Sequence, residues 1–218
     1  MTTALARPRA LLFDWDNTLV DSWDTIHDAL VITFKAMGHE PWTLAETKLR
    51  VAKSLRDAFP ALFGERWEEA RNLYLDIFTS IHLERLKPID GAAEMLAALA
   101  ASDFYLGVVS NKTGSVLRRE AAHLGWTGRF KRLVGAGDAA VDKPQAAPVL
   151  LALEGSGIAC TETWYIGDTA LDMECAVNAG CVGVLLGARA IEEDSFARFP
   201  PRLHLAGCAA FVNHIVEL

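Results

Sequence analysis

The chain sets one short apolar run, Leu11-Leu12-Phe13, in front of a long stretch, residues 22–86, that carries no strand signal. Consecutive apolar residues that end at polar ones read as the last part of a buried strand. Such a strand needs a sheet, and its partners must come from beyond residue 86. There the pattern alternates. Met95, Leu96 and Leu99 mark a helix, and residues 104–109 a strand. Residues 113–124 read as a helix stopped by Gly125, and Leu133-Val134 as a short strand. A helix opened by Pro144 follows, then a strand at 163–166, a helix at 170–179 ended by Gly180, and a strand at 181–186. Strands alternating with helices imply right-handed crossovers and a parallel sheet. The expected fold class is α/β: a three-layer, Rossmann-like parallel sheet core with an inserted all-helical cap domain. Residues 191–218 are expected to hold a loop, a short strand near 209–211 and a terminal helix.

Inside the insertion, apolar residues recur at helical steps. Trp23, Ile26, Leu30, Phe34 and Met37 form one stripe, with Gly38 where a C-terminal cap belongs. Thr43-Leu44-Ala45-Glu46 has the form of a capping box and opens a second helix. Pro60 and Gly64 interrupt, and Trp67, Ala70, Tyr74, Ile77, Phe78 and Ile81 give a third stripe. Residues 22–86 are therefore expected to form a helical bundle, with 1–21 and 87–218 as the core domain. Lys87-Pro88-Ile89-Asp90-Gly91 reads as the linker between them. The insertion leaves the core just after Asp14 and Asp16. It should stand over them, in the position of a lid, with Val20-Asp21-Ser22 as the hinge.

A formal net charge of -7 argues against nonspecific nucleic-acid binding, which needs a basic surface. No apolar run approaches transmembrane length, and the first nine residues lack the apolar centre of a signal peptide. Cys160, Cys175, Cys181 and Cys208 form no CxxC pair and read as reduced core thiols. The expectation is a cytoplasmic protein with neither nucleic-acid nor membrane partners. The helical stripes suit a monomer or a homodimer equally.

The chemistry gathers where apolar strands end. Asp14 and Asp16 follow the first strand, at the edge where open α/β sheets bind ligands. Asp14 could attack as a nucleophile, hold a hard cation, or both. Asp16 is near enough to hand a proton to the group that Asp14 attacks. The plainer alternative is an acidic strand-end turn. Ser110 and Asn111 end the second strand, where a hydroxyl, an amide and a helix N-terminus can bind an anion, or merely cap the helix. Lys143 sits at a helix start, where the dipole already supplies positive charge, so it either has an anionic partner or is an exposed loop lysine. Asp168 and Asp172 follow Gly167 at the fourth strand. Two more carboxylates there are costly unless a cation lies between them; otherwise Asp168 caps a helix and Asp172 is solvated.

In this order and spacing the residues resemble the haloacid dehalogenase superfamily. Asp14, Asp16 and Thr18 match its DxD-x-T signature, Ser110 its second motif, Lys143 its third, and Gly167, Asp168 and Asp172 the GDxxxD form of its fourth. The insertion matches the placement of the family's helical C1 cap. One departure is Asn17, where glycine is usual; asparagine tolerates the left-handed backbone such a turn needs.

The resemblance implies that Asp14 attacks phosphorus in line and forms an aspartyl-phosphate. Asp16 would protonate the leaving oxygen and then deprotonate the hydrolytic water. Mg²⁺ would be bound by the Asp14 carboxylate, the Asp16 backbone carbonyl and Asp168, with Asp172 as a direct or outer ligand. Ser110 and Asn111 would hold the phosphoryl group, and Lys143 would offset the charge on it and on Asp14. An acid at position 16 favours phosphate esters over halides, since expelling an alkoxide needs a proton and expelling halide does not. The expected function is Mg²⁺-dependent hydrolysis of a small phosphorylated metabolite, with phosphoglycolate as the candidate. A sugar-phosphate mutase and a noncatalytic binding protein on the same fold are the alternatives. His27, Lys53 and Arg56 are the cap candidates to meet the leaving group; for each, an exposed helix side chain is the plainer reading.

Overall fold

The computed structural model describes residues 5–187 and 193–218. In chain order the elements are β1 (Ala10–Phe13), β2 (Val20–Asp21), α1 (Trp23–Ala36), α2 (Leu44–Arg50), α3 (Leu55–Phe63), α4 (Trp67–Arg85), β3 (Lys87–Pro88), α5 (Ala92–Ala100) and β4 (Tyr105–Thr113). There follow α6 (Gly114–His123), β5 (Arg132–Ala136), α7 (Ala147–Leu153), β6 (Thr163–Gly167), α8 (Ala170–Ala179), β7 (Val182–Leu186), α9 (Glu193–Phe196), β8 (Leu203–Leu205) and α10 (Cys208–Val216).

Six strands form one parallel sheet in the order β5-β4-β1-β6-β7-β8. β1 lies inside it and is fully buried, and the period of two divides its side chains between two cores. Leu11 and Phe13 pack with α5, α6 and α10 on one face. Ala10 and Leu12 pack with α7 and α8 on the other. This is the three-layer α/β arrangement that the alternating pattern predicts. Phe13 stands in register with Val108 of β4 and Ile166 of β6, so the residues that follow these positions on the three strands lie side by side.

α1 to α4 bury a separate apolar cluster, in which Phe34, Phe59, Phe63, Tyr74 and Phe78 are joined by Val116 from α6. The Thr43 capping box is present, with both reciprocal bonds to Glu46. Pro60 does not interrupt: it sits on the exposed face inside α3. The break comes earlier, where Val51 turns extended, and again at Gly64, with φ of 56°.

Three other expectations are corrected. Lys87-Pro88 is not a bare linker; it pairs antiparallel with Val20-Asp21, so the chain's two crossings into the helical insertion form one ribbon. Pro144 does not begin a helix: Lys143–Pro144 is a cis peptide in a loop, and α7 starts at Ala147 with Pro148 in its first turn. The strand expected at 209–211 lies within α10. Cys208, Phe211 and Ile215 recur at helical spacing and are all buried. The real edge strand, β8, places Leu203 and Leu205 on either side of exposed His204.

Candidate active site

Asp14 leaves β1 while still tied to the sheet, its N–H donating to the Ile166 carbonyl at 2.8 Å. The next residues turn sharply. Leu19 N–H reaches back to the Trp15 carbonyl at 2.9 Å, and Asn17 has φ of 63°. Asn17 thus occupies the left-handed region that glycine would enter freely, and its Oδ1 accepts from Ser22 N–H at 3.3 Å. Thr18 Oγ1 donates to Asp168 Oδ1 at 3.1 Å and ties this turn to the tip of β6.

The Lys143 ammonium bridges two carboxylates, lying 2.8 Å from Asp14 Oδ1 and 2.8 Å from Asp172 Oδ1. Asn111 holds this lysine by its backbone: Nδ2 donates to the Lys143 carbonyl at 3.2 Å, and Oδ1 accepts from its N–H at 3.1 Å. The same Nδ2 donates to Ala52 in the helical insertion at 3.1 Å, so the amide group is engaged on all sides. Ser110 is buried, and its Oγ accepts from Lys112 N–H at 3.2 Å. Asp172 completes a capping box with Thr169 at the start of α8. Gly167 is required beneath it, because a Cβ there would lie 2.4 Å from Asp172 Cγ.

Burial pushes the Asp14 carboxyl up; Lys143 pulls it down, Asp172 and Asp16 push it further up, and the balance is about 6. Burial alone would lower Lys143, but Asp14 and Asp172 outweigh it and hold the ammonium well above its ordinary range. One oxygen each of Asp14, Asp168 and Asp172 lie within 4.8 Å of one another. Three buried, hard oxygen donors fit a small divalent cation such as Mg²⁺. Asp172 gives one oxygen to Lys143 and the other to Thr169, so both of its carboxylate oxygens are already engaged.

Asp14, Asp16, Ser110, Asn111, Lys143, Asp168 and Asp172 line one cavity of about 110 Å³, and Lys53 reaches it from the insertion. The other two cap candidates do not line it. His27 shares a hydrogen bond of 2.9 Å with Thr47 inside the bundle. Arg56 grips the Asp142 carboxylate with two nitrogens and the Ala139 carbonyl with one, clamping α3 to the loop before Lys143.

Lys112 is the third residue of the Ser110-Asn111-Lys112 run at the second motif, where the sequence alone assigns it no role, and Glu120 lies outside all four motifs. The Lys112 ammonium lies 2.9 Å from Asp16 Oδ1 and 3.2 Å from Glu120 Oε1. Glu120 also accepts from Trp15 Nε1 at 2.7 Å and from His82 Nδ1 at 2.8 Å. Both residues carry a sequence signal. Lys112 lies two residues beyond Ser110, hence on the same face of the strand tip. Glu120 interrupts the apolar stripe of Val116, Leu117 and Ala121 on α6.

Comparison with known proteins gives this arrangement its class. The sequence profile described as Haloacid dehalogenase-like hydrolase matches residues 11–185. The chain belongs to that family. It is 32% identical to a phosphoglycolate phosphatase from Xylella fastidiosa over 87% of this chain and 85% of that one. It is also 32% identical to an N-acetylmuramic acid 6-phosphate phosphatase from Pseudomonas aeruginosa, over 80% and 79% of the two chains. A haloacid dehalogenase-like hydrolase from Streptococcus pneumoniae shares the fold, with a TM-score of 0.83, 22% identity and coverage of 95% and 98%. The chain is an enzyme of the family's phosphatase kind, similar to phosphoglycolate phosphatases. Among the described residues, no helix is long and apolar enough to cross a membrane.

Proposed function

We propose that this enzyme hydrolyses a phosphate monoester of a small metabolite with Mg²⁺, through a phosphoryl group carried on Asp14. The observation that carries the reading is the unequal setting of the two carboxylates. Asp14 is buried at a strand tip against Lys143, while Asp16 leans on a separate cation at the edge of the same cavity. Asp14 Oδ attacks phosphorus, and the ester oxygen leaves with the bonding pair. Asp16 gives that oxygen its proton, then takes one from the water that attacks the phosphorylated Asp14. Ser110 and the start of α6 hold phosphoryl oxygens, and Lys143 offsets the charge that gathers between Asp14 and the incoming anion. Asp14 and Asp168, with the Asp16 backbone carbonyl, would hold Mg²⁺, which supplies further neutralisation when bound.

Residues 22–86 act as the lid over this site, and residues 1–21 and 87–218 as the core that carries it. Trp23, Ile26, Val51, Leu55, Tyr74 and Phe78 give the lid side of the cavity an apolar wall, with Lys53 as its cation for the leaving group. The named relatives support a small phosphorylated acid or sugar, phosphoglycolate first among them. The four free cysteines support a reducing, cytoplasmic setting.

Asp14→Asn is expected to abolish Mg²⁺-dependent phosphate release from 4-nitrophenyl phosphate, and unchanged turnover overturns the assignment. A panel of phosphorylated acids, sugars and nucleotides, read for both free phosphate and isomerised sugar phosphate, identifies the substrate and separates hydrolysis from mutase chemistry.

A further inference from the structure

A charged cluster with no assigned part in the reaction lies behind Asp16. It runs from Asp16 to Lys112 at the tip of β4, from Lys112 to Glu120 on α6, and from Glu120 to Trp15 and to His82 on α4. Lys112, Glu120 and His82 are buried, and Glu120 and His82 are only 1% exposed. The Phe78 ring faces the ammonium from the lid, 4.5 Å away. Burying three ionisable side chains is expensive unless each is paired. Here each is. Burial alone would lower Lys112, but Asp16 and Glu120 outweigh it and hold the ammonium above its ordinary range. Burial alone would raise Glu120, and Lys112, His82 and Trp15 bring it below.

Glu120 does not line the cavity. Its two oxygens are taken by Lys112, His82 and Trp15, so whatever it does for the reaction passes through Lys112. Lys112 lines the cavity with Asp16 and braces it. A proton donor must sit within about 3 Å of the oxygen it serves, and a carboxylate on a turn has several rotamers to choose from. On the reading of Asp16 as the acid and base, we propose that Lys112 and Glu120 are positioning residues: Lys112 fixes the Asp16 carboxylate toward the leaving oxygen, and Glu120 fixes Lys112. Trp15 anchors this brace to the core and His82 anchors it to the lid, so a docked lid and a correctly aimed acid are one condition.

The test uses leaving groups that differ in their need for a proton. 4-Nitrophenolate departs unaided, whereas phenolate benefits from an acid. kcat/KM on 4-nitrophenyl phosphate and phenyl phosphate reports the step in which that group leaves. Asp16→Asn serves as the reference and should lose more on phenyl phosphate. Lys112→Met and Lys112→Met/Glu120→Gln should show the same bias, with at least about tenfold more loss on phenyl phosphate than on the nitro ester. Glu120→Gln keeps the side-chain shape and should show a smaller bias in the same direction. Lys112→Arg, which restores a cation, should recover most of the phenyl phosphate activity. Thermal melts establish that each variant is folded, and the double variant avoids leaving Glu120 unpaired. Equal loss on both esters in the folded double variant, or no loss on either, overturns the positioning role. An Asp16→Asn variant without the bias overturns the reading of Asp16 itself and removes the basis of the proposal.

Discussion

Asp14→Asn should make the protein more stable at neutral pH. The Asp14 carboxyl is 7% exposed and is pushed up to about 6 from an ordinary 3.8, mainly by burial, with Lys143 as the principal offset. A carboxyl raised on folding is bound to its proton more tightly in the native state than in the unfolded one. Native stability therefore falls as pH climbs from about 4 to about 6, and the deficit is complete above that range. A rise of that size corresponds to a ceiling of about 3 kcal/mol at pH 7. Asparagine keeps the shape and removes the charge, but among the described residues Lys143 then has only Asp172 as an ion-pair partner, which returns part of the gain. A net stabilisation of about 1–3 kcal/mol remains, or roughly 3–10 °C in Tm for a chain of this size. Urea unfolding with a chelator present, from about pH 4.5 to about pH 7.5, measures it in both proteins. A variant less stable than the parent near pH 7.5, or a gain that does not shrink toward about pH 4, refutes the reasoning.

Two further outcomes follow from the same geometry. Mg²⁺ at about 100 times its dissociation constant should stabilise the parent by about 2.7 kcal/mol, and Asp168→Asn should remove most of that gain; an undiminished shift in the variant places the cation elsewhere. Arg56→Ala leaves the Asp142 carboxylate, 2% exposed, with the Gly137 N–H but with no cation among the described residues. Because Arg56 is itself 35% exposed, the cost in urea unfolding should be about 1–3 kcal/mol rather than that of a fully buried pair, and a change below about 0.5 kcal/mol refutes the clamp.

The sheet is legible in the sequence because β1, β4 and β6 are apolar runs ending at polar residues and β7 is an apolar run ending at Gly187, a pattern that burial on both faces dictates. The residues gathered around Asp14 are legible for a related reason: Asp14, Ser110 and Asp168 come where the apolar part of a strand ends, and parallel register brings those ends together, while Lys143 comes from the loop after β5 and Asp172 from the first turn of α8. What stays hidden depends on distance in space. Nothing local to Arg56 says that its partner is Asp142, and nothing local to Asn111 says that its amide faces Lys143 and Ala52. The loop before α7 is easily misread because a proline suits both a helix start and a turn, and two prolines, Pro144 and Pro148, compete for the first role. The C-terminal strand is misplaced because Ala209, Ala210 and Phe211 give too short a window to separate a period of two from one of 3.6.

The pairing of Val20-Asp21 with Lys87-Pro88 also bears on how the chain reaches its fold. β1 must find β4 across the whole helical segment, and loop-closure entropy opposes that search. Once the two-stranded ribbon closes, it short-circuits the path, and β1 and β4 are joined by little more than α5 and its flanking turns. α1 to α4 then hang from the assembling sheet as a closed side loop. A zipper two residues long thus lowers the effective contact order of a central strand. Changes of length or sequence among those four helices should then alter the folding rate of the sheet little, for as long as the ribbon can form.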